Sequence, residues 1–240
     1  MAWSDASGLK DLGERVIPDA VNADDWVAAK LLEQHLARYE MASRSVVDRD
    51  VLDVACGSGY GSLAMALAGA RHVTAADIDE AVVRYARRRY SHPNIAFRCC
   101  DVDTIKDAYD IVTCFETLEH VGDPKGFLEA LRKRLRPNGM LMVSATTVET
   151  KDIYPFHLHD FTIESFERLC TSAGFNILER RCSSFLATAA QVRASMREHF
   201  VLPRPATVLS NPFRAARNIA NACLFRGLNY ENWVLTACLG

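Results

Sequence analysis

The sequence predicts a doubly wound α/β fold: a mostly parallel seven-stranded sheet with an antiparallel last strand and a helical insertion. Two observations carry this prediction. Short, continuously apolar, β-rich segments alternate with helical ones from residue 51 to residue 146, as expected for a parallel sheet buried on both faces. The first of these strands also runs into a glycine-rich turn that opens a helix. Hydrophobic residues make up 49% of the 240 residues, so the chain can bury a substantial core.

An amphipathic helix precedes the first strand. Between about Asn22 and Ser43, apolar residues recur mostly at spacings of three and four. Asn22 or Asp24 is available to cap its first turn. Residues 1–48 are therefore expected to form an N-terminal helical cap.

Five strands and three helices follow this cap. The strands are predicted at 51–55, 72–77, 95–101, 109–115 and 140–146, and the helices at about 60–68, 80–90 and 123–136. The third helix has a start signal in Asp123-Pro124 and a stop signal in Pro137-Asn138-Gly139. The regular alternation implies right-handed crossovers.

The end of the chain contains a long segment between two predicted strands. A helix over 162–175 ends at Gly174, a sixth strand follows at 176–182, and a seventh at 232–239 is expected beside the sixth. The chain then forms one domain: cap 1–48, core 49–182, insertion 183–231 and last strand 232–239. Because loops this long are usually functional, the insertion is predicted to be a helical lid over the substrate.

The insertion differs from the rest of the chain in charge. It carries six arginines and two glutamates, whereas the whole chain has a net charge of −2. The overall charge excludes a global attraction to nucleic acid, but the insertion could receive an anionic substrate. One apolar face of a helix there suggests core packing or homodimerisation and comprises Phe213, Ala216, Ala220, Cys223 and Leu224.

Cysteine use and hydropathy indicate a cellular location. The eight cysteines include no CxxC pair, which favours reduced thiols, and Cys56, Cys99 and Cys100 are expected to be small buried residues. The N-terminus lacks an apolar leader, and no apolar run approaches the length of a membrane span. We therefore expect a cytoplasmic protein without a transmembrane segment.

The segment VLDVACGSGYGS, residues 51–62, is the most specific signal in the sequence. Gly57 and Gly59 would let the backbone pass close to a ligand. Asp77 stands eighteen residues after Gly59, at the end of the second strand, where it could accept hydrogen bonds from ribose hydroxyls. These features indicate a nucleoside. An NAD site would require glycine or alanine where Ser62 stands, so an NAD-dependent oxidoreductase is disfavoured.

With Asp53 in the first strand, these residues resemble the Rossmann-like class I S-adenosylmethionine-dependent methyltransferases, over roughly residues 30–182. The resemblance implies that Asp53 orients the turn and binds the methionine amino group directly or through water, and that Asp77 holds the ribose. Strand-terminal acids could instead simply cap turns. The implied cofactor-binding residues are Tyr39, Asp53, Ala55, Gly57, Ser58, Gly59, Asp77, Ile78, Asp101, Val102 and Phe115.

Two N-terminal segments, LGERVIP (12–18) and EQHLARYEMA (33–42), resemble a bacterial subset of these enzymes that is often associated with glycan assembly. In that subset, an aromatic or basic residue of the first helix can approach the cofactor carboxylate. The resemblance assigns this role to Arg38 and Tyr39. The alternative is a core-facing tyrosine and a solvated arginine.

The methyl-transfer chemistry is expected at the carboxyl ends of the fourth and fifth strands, where FETLEHV and YPFHLHDF stand. His120 or His157 is the predicted general base, with Glu116 beside the methyl group. The E-x-x-E-H pattern also resembles ubiquinone-type O-methyltransferases and small-RNA 2′-O-methyltransferases, where it can hold a divalent metal. That less favoured alternative uses Glu116, Glu119, His120 and His157, with His159 as another histidine in reach.

The sequence therefore predicts an O-methyltransferase that uses S-adenosylmethionine and acts on a small molecule or a glycan precursor. Metal-assisted methylation, including that of RNA, and a non-catalytic cofactor-binding protein are the alternatives. Nucleic acid is not the favoured partner, because the net charge is −2.

Overall fold

The computed structural model describes residues 15–22, 24–150, 156–199, 212–220 and 228–240. Seven strands form one sheet in the order β3-β2-β1-β4-β5-β7-β6. The strands are β1 (Asp50–Val54), β2 (His72–Asp77), β3 (Ile95–Cys99), β4 (Tyr109–Cys114), β5 (Leu135–Thr146), β6 (Phe175–Ala187) and β7 (Leu228–Leu239).

Helices cover both faces of this sheet. The helices are α1 (Trp26–Ser43), α2 (Tyr60–Leu67), α3 (Glu80–Arg89), α4 (Pro124–Arg132), α5 (Ile163–Ser172), α6 (Ala189–His199) and α7 (Pro212–Ala220). Short 3₁₀ turns lie at Pro18–Ala20, Val102–Thr104 and Leu118–His120. Among the helices in the described ranges, none is both long and apolar enough to cross a membrane.

The strand directions confirm the predicted fold class. Strands β1 to β5 pair in parallel, whereas β7 is antiparallel to both of its neighbours, β5 and β6. From β1 the chain first adds β2 and β3 on one side and then crosses to add β4 and β5 on the other side, so the switch point lies between β1 and β4. In doubly wound sheets, ligands bind outside the carboxyl ends of the strands at such a switch point.

Two apolar layers hold the helices onto the sheet. On one face, Tyr39 of α1 and Met65 of α2 pack with Ile111 of β4. On the other face, Leu128 of α4 and Phe166 of α5 pack with other buried strand residues. The sheet is thus buried on both sides, which explains the continuously apolar strands.

The helix α1 begins later than predicted. Its cap is Asp25, whose Oδ1 accepts the backbone N–H groups of Val27 and Ala28 at 3.0 Å each. Asn22 and Asp24 do not cap the helix; Asn22 instead accepts the N–H of Asp24. Both predicted caps were therefore wrong, Asp24 by one residue and Asn22 by three.

The helix α4 is shorter than predicted, because Pro137-Asn138-Gly139 lies within β5. Tyr109 pairs with Leu135, whereas Ile111 pairs with Met140, so the register shifts between these pairs. Asn138 has a φ of 63° in this irregular stretch. The apparent helix stop is a strand irregularity, and α4 ends at Arg132.

The insertion is also shorter than 183–231. Residues 183–187 of β6 pair with residues 228–232 of β7, and the rings of Phe185 and Tyr230 stack at 4.6 Å. The long connection is therefore residues 188–227, with helices α6 and α7 in its described parts. In α7, Ala215 is buried whereas Phe213 and Ala216 are exposed, so the predicted apolar face does not pack as one surface. Cys223 and Leu224 lie outside the described residues.

Seven cysteines fall in the described residues, and none of these seven is disulfide-bonded. Cys56 is buried, as predicted. The prediction was wrong for Cys99, which is exposed, and for Cys100, which is half-buried. Both follow from the position of β3 at the edge of the sheet.

Candidate active site

The turn after β1 is shaped by backbone conformations that favour glycine. Ala55 and Gly57 each have a φ of 55°, and Gly59 has a φ of 91°. Among the described residues, a Cβ on Gly57 would have Arg15 Cγ as its nearest neighbour, at 3.9 Å, whereas a Cβ on Gly59 would lie 2.8 Å from atoms of both Ala86 and Phe97. Packing against α3 and β3 therefore requires glycine at position 59, whereas no described atom would clash with a Cβ at position 57. Sequence reasoning had assigned both glycines to close approach of a ligand.

Asp77 ties the end of β2 to this turn. Its Oδ2 accepts the N–H of Gly57 and its Oδ1 accepts the N–H of Asp79, both at 3.0 Å. The neighbouring Ile78 is 77% exposed. The result is a fixed carboxylate beside an exposed apolar side chain, which suits a ribose next to a base.

Asp101 follows β3 and caps the 3₁₀ turn Val102–Thr104. Its Oδ1 accepts the N–H of Asp103 at 3.0 Å, and the side chain is exposed. Val102 is buried in the core. Capping therefore accounts for one carboxylate oxygen of Asp101.

Asp53 is fully buried at the centre of the site. Its carboxylate accepts hydrogen bonds from the hydroxyls of Ser62 at 2.6 Å, Thr113 at 2.8 Å and Tyr39 at 3.3 Å. Burial raises the pKa of Asp53 to about 6, although these hydrogen bonds oppose the shift. The carboxylate therefore joins α2, β4 and α1, and its role in orienting the turn stays a prediction.

Arg38 and Tyr39 differ in what they contact. The ring of Tyr39 packs edge-on against Phe115 at 5.1 Å and against Tyr60 at 5.5 Å. Arg38 is not solvated, since it is only 3% exposed. Its Nη1 lies 4.0 Å from Glu116 Oε1, while its Nε and Nη2 have no hydrogen-bond partner among the described residues. A buried guanidinium with two unpartnered donors is a ready site for a carboxylate.

Glu116 holds its carboxylate next to Arg38 through a strained backbone. It is a non-glycine residue with a φ of 48°. The hydroxyl of Ser144 donates to Glu116 Oε1 at 2.6 Å and accepts the N–H of Glu116 at 3.0 Å. Such strain often marks functional sites. Ser144 is buried in β5.

Glu119, His120 and His157 form one cluster beyond β4. Each offers a ligand atom, and these atoms all lie within 4.8 Å of one another. The carbonyl of Glu119 accepts the N–H groups of Leu158 at 2.7 Å and His159 at 3.3 Å, which brings the two sequence segments together. Glu116 faces Arg38 rather than this cluster, so three of the four residues of the metal alternative are assembled.

Burial controls protonation in this cluster. It lowers the pKa of His120 and lowers the pKa of His157 to about 3, while burial and the nearby Glu116 raise the pKa of Glu119. The Nδ1 of His120 lies 3.3 Å from the carbonyl of Phe156, and the Nδ1 of His157 lies 2.6 Å from the hydroxyl of Thr150. His159 lies apart, with its Nε2 2.8 Å from the carbonyl of Val121.

Sequence reasoning missed Thr113 and Ser144, and it considered Ser62 only as a missing glycine. A signal was present for two of them. Thr113 and Ser144 are polar residues inside otherwise apolar strands, and a buried hydroxyl in such a strand needs a partner. Here those partners are Asp53 and Glu116.

Comparisons with known proteins agree with this geometry. Residues 52–143 match a family described as a methyltransferase domain. A probable S-adenosylmethionine-dependent methyltransferase of Mycolicibacterium smegmatis is 31% identical over 71% of this chain and 67% of its own length. A ubiquinone biosynthesis O-methyltransferase of Idiomarina loihiensis is 39% identical over 51% of this chain and 52% of its own length. The chain thus spans between half and two thirds of these two curated relatives.

Solved structures share the fold at lower identity. The magnesium protoporphyrin IX methyltransferase of Synechocystis with bound S-adenosylhomocysteine has a TM-score of 0.65 and 17% identity, over 96% of this chain and 93% of its own. At that identity, the likeness shows the fold alone.

The residues present fit S-adenosylmethionine. Arg38 has donors without a partner among the described residues that could bind a carboxylate, the backbone N–H of Gly57 is held by Asp77, and Ile78 is exposed beside the carboxylate of Asp77. The predicted cofactor is confirmed by the family match, whereas NAD is not favoured. With its fold, its glycine turn and its curated relatives in agreement, the chain belongs to the class I S-adenosylmethionine-dependent methyltransferases.

Proposed function

We propose that this methyltransferase methylates a hydroxyl oxygen of a small molecule, with His120 or His157 as general base. The observation that carries the proposal is the pair of imidazoles formed by His120, which follows β4, and His157, which follows β5; their ring centroids lie 4.8 Å apart. Burial lowers the pKa of both, so both are neutral near pH 7. Because a general base works best with a pKa near the working pH, the pKa of about 3 makes His157 the weaker candidate and favours His120.

The tautomer of His120 supports this role. A carbonyl oxygen only accepts hydrogen bonds, so the contact with Phe156 favours the tautomer of His120 that carries the proton on Nδ1. Its Nε2 then carries the lone pair that takes the hydroxyl proton. Glu116, held by Ser144, is a positioning group next to Arg38 rather than the base.

The protein's other residues bind the cofactor and align the acceptor. When bound, S-adenosylmethionine supplies a methyl group on a positively charged sulfur, which is a good leaving group. Arg38 would bind the carboxylate of the methionine portion and Asp77 the ribose hydroxyls. Asp101, Ile78 and Val102 would surround the adenine, as the family resemblance implies.

The acceptor would bind beneath α1 and the 188–227 segment, which we propose to be the lid. The two are joined, because Ser195 of α6 donates to Oδ2 of Asp25, the cap of α1, at 2.8 Å. Trp26 of α1 also packs edge-on at 5.6 Å against Phe185, near the end of β6 that leads into the segment. This junction also supports the one-domain organisation.

Named relatives support a small-molecule acceptor. One curated relative, which is 39% identical over 51% of this chain, is named for ubiquinone biosynthesis. Glycan precursors remain a further acceptor class, suggested by the N-terminal segments. A reducing compartment such as the cytoplasm suits the unbridged cysteines of the described chain.

A metal-assisted reaction is the second candidate, because Glu119, His120 and His157 converge. One carboxylate and two imidazoles suit Zn²⁺ or Mn²⁺. Glu119 Oε2 has no hydrogen-bond partner among the described residues, as expected of an oxygen that awaits a cation.

The test measures transfer of a labelled methyl group to catechol and to a panel of nucleotide sugars, with products identified by mass spectrometry. His120→Asn keeps a donor for the Phe156 carbonyl, and His157→Asn keeps a partner for Thr150. We expect O-methyl ethers, and a loss of about 10²- to 10⁴-fold in kcat for the variant that removes the base. Binding of S-adenosylhomocysteine should be unchanged in both variants.

Three outcomes would count against the proposal. Transfer to nitrogen or carbon would refute O-methylation, and tight cofactor binding without transfer to any acceptor would indicate a non-catalytic protein. The metal-assisted reaction would be favoured if chelation abolished activity, if Mn²⁺ or Zn²⁺ restored it, and if these ions restored no activity in Glu119→Gln.

A further inference from the structure

We propose that residues 15–20, the strap, close over the glycine turn and control exchange of the cofactor. The strap lies next to the turn that follows β1. The hydroxyl of Ser58 donates to the carbonyl of Val16 at 2.8 Å, and Ser58 is fully buried. The Cγ of Arg15 lies 3.9 Å from where a Cβ of Gly57 would stand. The strap therefore covers two residues assigned to the cofactor site.

The strap is anchored to α3 and to the residue that caps it. Arg15 Nη1 lies 3.0 Å from Oδ2 of Asp79. Asp79 caps α3 through its Oδ1 and donates its own N–H to Asp77 at 3.0 Å. The strap is thus linked through Asp79 to Asp77, the carboxylate assigned to the ribose.

A second anchor lies farther along the strap. Asp19 accepts from the Nε of Arg89 at 2.5 Å and from its Nη2 at 3.2 Å, and Ile17 is 4% exposed and packs on Val82. These contacts do not touch the glycine turn. They can be removed without altering the residues that hold the cofactor.

The anchors are of a kind that can open while the sheet stays folded. The two ion pairs are partly exposed, with side-chain exposures of 29% and 37% in one and 51% and 48% in the other. Such pairs are individually weak, and a single buried isoleucine supplies the apolar contact. Since the strap covers the turn, its opening and closing should set the rates at which the cofactor binds and leaves.

The test compares the wild type with the double variant Ile17→Ser, Asp19→Asn by stopped-flow measurement of S-adenosylhomocysteine dissociation. We expect the dissociation rate to rise at least about tenfold, with a smaller change in the thermal midpoint than a core substitution gives. The control is Asp107→Asn, which breaks the comparably exposed pair between Arg98 and Asp107 and should change neither quantity. An unchanged dissociation rate in the double variant would overturn the proposal.

A second measurement uses the unmodified protein, so it does not depend on how the variant folds. Trypsin cleaves after Arg15, and saturating S-adenosylhomocysteine should slow that cleavage at least about tenfold, as followed by intact mass. Equal cleavage rates with and without bound product would refute closure of the strap. Calorimetry beforehand separates cofactor binding from strap closure, because absence of S-adenosylhomocysteine binding would contradict the assigned cofactor rather than the closing of the strap.

Discussion

Asp53 shows how a single residue can link stability to the chemistry of the site. Burial raises its pKa to about 6, compared with about 3.9 for an unperturbed aspartate. The folded state therefore binds this proton more tightly than the unfolded state does. Its contribution to stability is fully present below about pH 4 and is lost as the pH rises through about 6.

Replacing Asp53 by Asn removes this titration and keeps an acceptor for the surrounding hydroxyls. We expect the free energy of unfolding of the wild type, relative to Asp53→Asn, to fall by about 1.4 kcal/mol per pH unit between pH 4 and 6. Urea denaturation at intervals of half a pH unit measures this difference. For Asp24→Asn, at an exposed position, the free energy of unfolding should vary with pH in parallel with that of the wild type. If the free energy of unfolding of Asp53→Asn varied with pH in the same way as that of the wild type, the raised pKa of Asp53 would be contradicted.

Other residues of the site differ in how far the sequence could predict them. Asp77 and Gly57 are linked by a motif with fixed spacing, so their proximity follows from the strand, the turn and the helix alone. The burial of Arg38 could not be predicted, because an arginine on an amphipathic helix ordinarily reaches solvent. It depends on Glu116, which is far away in the sequence and is held by Ser144.

At the scale of elements, Gly61 sets how closely α1 approaches α2. A Cβ on Gly61 would lie 2.1 Å from the ring of Tyr39. Gly61 is the second residue of α2 and is buried, and its φ is not in the left-handed region. Space rather than backbone conformation therefore requires glycine at this position.

The change Gly61→Ala separates these two effects. Helix propensity alone would favour alanine by about 1 kcal/mol, whereas overpacking against Tyr39 should destabilise the fold by about 1–3 kcal/mol. We expect the overpacking to prevail, because the ring is fixed between Phe115 and Tyr60. The measurement is the free energy of unfolding in urea.

Gly122→Ala is the matched control for this substitution. No atom of the described residues lies within 4 Å of a Cβ at Gly122, so its effect should stay within about 0.5 kcal/mol. A Gly61→Ala variant as stable as the wild type would show that α1 can shift away from α2 without cost.

Element boundaries were predicted less well than element types, for a physical reason. Pro-Asn-Gly at 137–139 is a valid helix stop on local grounds, but the pairing of β4 with β5 takes up these residues in a strand. The extension of β6 to Ala187 likewise depends on β7, whose pairing residues are about forty positions later. Local signals indicate what a segment can form, whereas its length is set by its partner strand.

At the scale of the whole molecule, the last strand in the chain lies inside the sheet. The sequence predicts β7 beside β6, but the structure adds that β7 also pairs with β5, from Met140↔Cys238 to Thr146↔Asn232. Leu235 and Ala237 are fully buried there. The sheet is therefore continuous from the cofactor-binding strands to β6 only through residues 228–239.

This position makes the end of the chain essential to the fold. Removing residues 228–240 would leave β5 as an open edge and β6 without β7, its one neighbour in the described sheet, with long rows of unpaired backbone groups. We expect the truncated chain to lose cooperative unfolding by circular dichroism and to aggregate. The milder change Leu235→Ala should cost about 2–5 kcal/mol, because that side chain is fully buried in the apolar layer that contains Leu128 and Phe166. Leu239→Ala, at the half-buried end of the same strand, should cost clearly less. If the truncated chain kept the wild-type unfolding midpoint, the five parallel strands would be a self-sufficient unit, and β6 and β7 would be an addition to it rather than part of one cooperative sheet.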